Sequence, residues 1–248
     1  GIEMQFLNRR LTVDADYYHD KTIDLVNDVS LSQTSGFSSY KDNMGEVLNQ
    51  GFELQVRGEV FRNRDWLVAL WGNMAHNKNK IVKISDSQRA YNQRVKDFYQ
   101  KGIVDMNYNG YEPQYAVPIS QYEEGQSLTS IWAVKSLGID PTTGKEIFLN
   151  RDGSVSDTWN ATQEVVVGNT EPKFNGSVGF NLAYKAWSLF AAFQYEWGGQ
   201  EYNQTLVDRV ENARIQYQNV DLRVLTDRWK QPGDIAQFKD IKNADNVT

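Results

Sequence analysis

The sequence predicts an all-β protein: about six antiparallel strands in up-and-down order, a segment of a larger transmembrane β-barrel with long extracellular loops. Three observations carry that expectation. Apolar and polar residues alternate with a period of two along these segments, each close to the roughly 9–11 residues that a tilted membrane-crossing strand needs. Very short connections alternate with very long ones, which gathers the short turns at one end and the loops at the other, as in transmembrane barrels. No stretch approaches the roughly 20 apolar residues of a membrane-spanning helix. Mean hydropathy is −0.61, which still suits a barrel, because only alternate strand residues face lipid and the loops are polar.

The first strand is short, with Ile2, Met4 and Phe6 on one face. The second sets Leu11, Val13, Ala15 and Tyr17 opposite Thr12, Asp14, Asp16 and Tyr18. In the third, Phe52, Leu54, Val56 and Val60 oppose Glu53, Gln55, Arg57 and Glu59. The fourth, Trp66 to about Asn77, carries two competing apolar sets: Val68, Leu70 and Met74 against Leu67, Ala69 and Trp71. The fifth opposes Phe174, Val178, Phe180, Leu182 and Tyr184 to Asn175, Ser177 and Asn181. The sixth opposes Trp187, Leu189, Ala191, Phe193, Tyr195 and Trp197 to Ser188, Gln194 and Glu196.

Asn8-Arg9-Arg10, Arg62-Asn63-Arg64-Asp65 and Lys185-Ala186 are the short hairpin turns. The long connections run from Lys21 to Gln50, from Lys78 to Pro172, and onward from Gly199. Trp66, Tyr184 and Trp187 adjoin the short turns, whereas Tyr17 and Trp197 lie toward the other end, so two aromatic girdles are expected. Within the loops, helices are expected over Ser85–Gln100, with Ala90, Val95 and Phe98 as its apolar residues, and over Leu206–Ile215. Ile139-Asp140-Pro141-Thr142-Thr143-Gly144-Lys145 reads as a turn leading into a strand over Glu146–Leu149, which stops at Asn150-Arg151-Asp152-Gly153.

Composition removes several function classes. With 26 Lys plus Arg against 32 Asp plus Glu, the net charge of −6 gives no electrostatic reason to bind nucleic acid. No cysteine is present for disulfide, thiolate or Cys–metal chemistry. His19 and His76 are isolated, without a neighbouring nucleophile or ligand spacing. Asp14 and Asp16 point the same way on a strand and read as polar lining of a wet lumen; Asp152-Gly153-Ser154 lacks the remaining spacing of a calcium loop and reads as a turn. The sequence therefore assigns no catalytic, metal or cofactor-binding residue, and no enzyme activity. The loop aromatics Tyr108, Tyr111, Tyr115, Tyr122, Trp132, Trp159 and Trp229 suit either cargo stacking or packing, with packing expected for most; none is singled out as cargo-binding.

With the strands placed, the motifs at their edges resemble the C-terminal half of the SusC/RagA family of TonB-dependent outer-membrane transporters. The matches run in order across nearly the whole chain: Asp16-Tyr17-Tyr18-His19-Asp20-Lys21-Thr22-Ile23-Asp24-Leu25, then Asn43-Met44-Gly45-Glu46 through Gln50-Gly51-Phe52-Glu53, Glu124-Gly125-Gln126-Ser127, Gly138-Ile139-Asp140-Pro141-Thr142-Thr143-Gly144, Gly168-Asn169-Thr170-Glu171-Pro172 and Arg228-Trp229-Lys230-Gln231-Pro232-Gly233-Asp234. The resemblance implies a plugged barrel of about 22 strands in the bacterial outer membrane, contacting its lipid. It also implies energisation through TonB by way of a plug region, and a SusD-like surface lipoprotein as partner in importing glycans (oligosaccharides) or peptides. It implies that residues 1–248 are one partial barrel, without plug, TonB box, early strands or closing strand. Gly1 to Phe6 alternate like a strand, so a signal peptide is expected outside these residues. The rival from another class is a soluble or surface β-sandwich that binds glycans; it would bury the same apolar faces in a core between two sheets.

Overall fold

The structure, a computed structural model, describes residues 1–30, 39–43, 45–100, 122–213, 215, 217 and 219–243. In chain order its strands are β1 (Ile2–Phe6), β2 (Leu11–Thr22), β3 (Val26–Ser30), β4 (Ser39–Asn43), β5 (Gly45–Arg62), β6 (Trp66–Ile84), β7 (Ser130–Ala133), β8 (Lys135–Ile139), β9 (Glu146–Leu149), β10 (Val155–Ser156), β11 (Val165–Asn169), β12 (Phe174–Tyr184) and β13 (Trp187–Trp197). Six of these form one antiparallel sheet in the order β1-β2-β5-β6-β12-β13. These are the six strands that the alternation predicts, each beside its nearest long-strand neighbour in sequence.

Register fixes which residues share a face, because partners directly opposite one another project to the same side. Met4 pairs with Val13, Val13 with Val56, Val56 with Gly72, Gly72 with Val178, and Val178 with Phe193. Neighbouring rows add Ala15, Leu54 and Met74 on one side, and Leu70, Phe180 and Ala191 on the other. The result is one continuous apolar face across all six strands. The opposite face carries Asp14, Gln55 and Asn73 in one row, and Asp16 and Glu53 in the next. Val178 is 47% exposed, Phe193 64% and Trp187 80%. Among the described residues no second sheet covers this face, and the buried apolar cluster of Val210, Ala213, Val224 and Phe238 lies instead in the last loop. That arrangement is a barrel wall and not half of a sandwich.

The apolar band ends in aromatics on both sides. At the short-turn end Trp66, Tyr184 and Trp187 are in register, with the Trp66 and Tyr184 ring centres 4.3 Å apart. At the other end Tyr17 pairs with Phe52, Phe52 with His76, and Phe174 with Trp197. Ring centres there are 5.6 Å apart for Phe52–His76, 5.3 Å for His76–Phe174 and 5.9 Å for Phe174–Trp197. The ten steps from Phe174 to Tyr184 span roughly 33 Å along a strand, or about 25 Å once tilted by about 40°, the height of the apolar band of an outer-membrane barrel.

Several sequence expectations need correction, and one left open is resolved. The strands are longer than the membrane requires: β5 begins at Gly45 and β6 runs to Ile84, so parts of the expected loops Lys21–Gln50 and Lys78–Pro172 are strand extensions. Val60 does not continue the apolar face. The register shifts between Glu59 and Phe61, leaving Val60 as an extra residue while Phe61 takes the position opposite Val68. The ambiguity in the fourth strand resolves to Val68, Leu70 and Met74 on the apolar face, because β5 and β12 present apolar residues to that set from both sides. The first turn also starts one residue earlier than expected, with Leu7, Asn8 and Arg9 all at positive φ.

Beyond the sheet, β3 pairs with β4, β7 with β11, and β8, β9 and β10 form a small three-stranded sheet around the expected turn and strand at 139–149. Helix α1 (Asp86–Gln100) matches expectation and is capped by Ser85, whose Oγ accepts from the amide of Gln88. Val95 and Phe98 are buried there, but Ala90 is exposed. The second expected helix is shorter: a turn, α2 (Gln204–Leu206), continues as a π-helix over Val207–Glu211 and ends at Asn212. A further short helix, α3, covers Arg223–Thr226.

Candidate functional site

The sheet presents its polar face to one side and the loops rise from its long-strand end, so the candidate site is that face and what folds over it. Asp14 and Asp16 both sit on the polar face, opposite Gln55 and Glu53. His76 belongs to the outer aromatic row, and its Nδ1 donates to the carbonyl oxygen of Lys173. His19 pairs with Gln50 in the same zone. Among the described residues no group of three or more His, Asp or Glu is arranged to hold a metal. Asp152 accepts from the amide and hydroxyl of Ser154 within a turn, and those hydrogen bonds hold its carboxyl below the ordinary range.

Low on the polar face, Trp71 and Phe190 stack with their rings nearly parallel at 9° and centres 6.1 Å apart. Gly179 lies between their strands, and a Cβ at that position would fall 2.4 Å from the Trp71 ring. The glycine lets the indole lie flat on the sheet.

A chain of polar side chains ties the loops to the sheet. Tyr18 donates to Asn77 Oδ1 at 3.0 Å, and Asn77 and Asn79 donate to the two carboxylate oxygens of Glu171. Asn79 Oδ1 accepts from Ser127 Oγ at 2.6 Å and from the amide of Leu128 at 2.8 Å. Thr129 Oγ1 and the amide of Glu171 both donate to Asn169 Oδ1. Register places Asn77 and Asn79 on the polar side of β6, paired with Gly51 and Asn49. The loop around 123–172 therefore docks on the inner side of the wall, above the outer aromatic row. The edge that β12 leaves free is also used: the amide of Ile81 donates to Gln126 O and that of Gly125 to Ile81 O, both at 2.8 Å.

Two motifs far apart in sequence form a second clasp. Trp229 is buried; its Nε1 donates to Pro141 O at 2.9 Å, and the amide of Gly233 donates to the same oxygen. The Trp229 ring lies against Gly144, whose φ is +69° and where a Cβ would fall 2.4 Å from the indole. Glycine is required there twice over, by backbone conformation and by contact. The buried Arg228 guanidinium donates to the carbonyls of Val210, Glu211 and Lys239, capping the end of the π-helix. Burial lowers the Arg228 and Lys239 pKa values and, with help from Glu146, raises that of Glu211. Asp234 accepts from the amides of Lys230 and Gln231 to close the Pro-Gly-Asp turn.

Of the loop aromatics, Trp229 packs as described, and Trp132 carries the Arg151 guanidinium 5.9 Å from its ring centre. Tyr122 and Trp159 are half-buried, and Tyr108, Tyr111 and Tyr115 lie outside the described residues. Sequence reading missed Phe52, His76 and Phe174 as girdle members, and Asn77, Asn79 and Glu171 as the loop anchor. The period-two spacing of Asn73, Asn77 and Asn79 on one strand face was the available signal.

No family model matches the chain. Over 218 residues, 84% of this chain and 21% of the relative, it is 28% identical to "TonB-dependent receptor P3" of Formosa agariphila. It is 31% identical over 86 residues, 34% of this chain and 9% of the relative, to "TonB-dependent receptor SusC" of Bacteroides thetaiotaomicron. Among solved structures, that of the RagAB peptide transporter superposes with a TM-score of 0.69 at 22% identity, covering 96% of this chain and 25% of that one. The RagAB peptide importer in its closed-closed state gives 0.65 at 24% identity, with 96% and 26% covered. The chain thus spans about a fifth of the first of these receptors and about a quarter of each transporter chain.

Proposed function

We propose, from the premise that this chain is a SusC/RagA-like TonB-dependent transporter segment, that it forms part of the barrel wall and external loops of an outer-membrane nutrient importer. The observation that carries the proposal is the uncovered apolar face bounded by two aromatic rows about 25 Å apart. Lipid is the solvent that such a face fits. The polar face lines the lumen, and the two open edges, β1 and β13, pair with further strands of the same barrel.

The loops docked inward through Asn79 and Glu171 cover the mouth from the outside, where a SusD-like lipoprotein closes over them. TonB acts through a plug that fills the lumen. Glycans or peptides are the cargo class; the superposed RagAB structures are those of a peptide transporter, and a half-polar, aromatic-bearing loop surface accommodates either.

Fractionation of source cells, probed with an antibody to this segment, tests the reading. An outer-membrane band far heavier than the 28.5 kDa of these residues is the expected result. A soluble band near that mass would overturn it.

A further inference from the structure

The short-turn end of the sheet is strongly basic in a chain whose net charge is −6. Arg9 and Arg10 occupy the first turn, Arg62 and Arg64 the second, and Lys185 the third, against only Glu59 and Asp65. Glu59 is taken by Arg62 in an ion pair. Arg9, Arg10, Arg64 and Lys185 are exposed, and none of them makes an ion pair with a described residue.

The spacing of these charges is set by the fold. The amide of Glu59 donates to Arg10 O at 2.7 Å, and that of Lys185 to Asp65 O at 2.8 Å, so the first turn is pinned to β5 and the second turn to the third. Successive turns are two strand widths apart, roughly 10 Å. The rim also lies immediately beyond Trp66, Tyr184 and Trp187, the row that sits at headgroup level in a barrel of this kind. The Lys185 ammonium is held 5.2 Å from the Tyr184 ring centre, against that row. The opposite end is different: there Lys21 is paired with Glu46 at 2.7 Å, and Asp20 and Glu171 add further negative charge among the lysines.

Building on the barrel reading, we propose that this rim binds the phosphate groups of anionic phospholipids in the leaflet at the short-turn side, holding the wall at a fixed depth. A rim whose basic residues outnumber its acids, Glu59 and Asp65, placed at the height of lipid phosphates, is matched in both charge and position by that ligand.

The test uses the full-length parent protein in nanodiscs of phosphatidylethanolamine and phosphatidylglycerol in equal parts, with retained lipid measured by mass spectrometry. Wild type is expected to retain phosphatidylglycerol preferentially. Arg9→Gln/Arg10→Gln/Arg64→Gln/Lys185→Gln should lose that preference by about fivefold per charge removed, whereas Lys78→Gln/Lys80→Gln/Lys83→Gln at the other end should keep it. Should the fourfold variant fail to assemble, Arg64→Gln/Lys185→Gln carries the same readout at two exposed positions. Equal retention by an inserted wild type and an inserted rim variant overturns the rim site alone. A rim-dependent preference for lipid A, in discs where it replaces phosphatidylglycerol, overturns the assignment to the short-turn leaflet. Failure of the wild type to insert at all overturns the barrel reading together with this one.

Discussion

At the residue scale, the turn around Pro141 and the Arg-Trp segment are halves of one contact, and Gly144 is its tightest point. Replacing Gly144 by Ala puts a methyl where the Trp229 ring already lies and holds an L-residue at φ +69°. The expected cost to the last loop is about 1–3 kcal/mol, read as faster hydrogen exchange at the amides of Trp229 and Gly233, which donate to Phe238 O and Pro141 O. Unchanged protection at both would show that the ring is not held there. A second residue-scale effect concerns pH. Arg223 grips both carboxylate oxygens of Asp221 and holds its pKa down, from 3.8 to about 2. A depressed carboxylate contributes stability above its unfolded value and loses it as pH falls through the folded one. Protection of the α3 turn should therefore decline as pH drops from 3.8 toward about 2, and Asp221→Asn should abolish that decline while lowering protection at neutral pH.

At the scale of elements, the six strands differ mainly in what their two faces meet. Val178 lies four residues from the outer aromatic row and six from the inner one, near the middle of the apolar band. Val178→Arg in the parent protein should cost roughly 2–4 kcal/mol, measured as a loss of folded barrel in urea titration. Ser177→Arg, one residue away on the polar face, should cost far less. Equal costs would mean that the faces are wrongly assigned. The same two-face logic explains why the strands were legible: alternation is a local property, and Glu53, Gln55 and Arg57 against Phe52, Leu54 and Val56 leave one reading. It failed in β6, where Leu67, Ala69 and Trp71 compete with Val68 and Leu70, and at Val60, because a bulge is set by the neighbouring strand.

For the whole molecule, an apolar face exposed among the described residues, and edge strands β1 and β13 that no other described strand pairs on their outer sides, make the chain unsuited to water by itself. Expressed alone without detergent, the chain is expected to aggregate. A monodisperse monomer with intact β-structure by circular dichroism would instead favour a self-contained domain. The loops contribute differently. Their apolar cluster of Val210, Ala213, Val224 and Phe238 is small, and hydrogen bonds at Asn79, Glu171 and Pro141 tie distant segments together, so loop stability should fall when those anchors are removed.

The sequence by itself determined the six long strands, the three short turns between them and part of the two aromatic rows, because each depends on period, spacing or residue type along a short stretch. It also carried the motifs. Only the tertiary structure decided what those motifs do: Glu171 meets Asn77 and Asn79 across more than ninety positions, and Trp229 meets Gly144 across about as many. Such partners are joined by loop closure, and nothing in the local pattern of either one encodes the other. The reach of β5 and β6 beyond the apolar band was likewise settled by pairing, since polar residues that extend a hairpin look, in sequence, like loop.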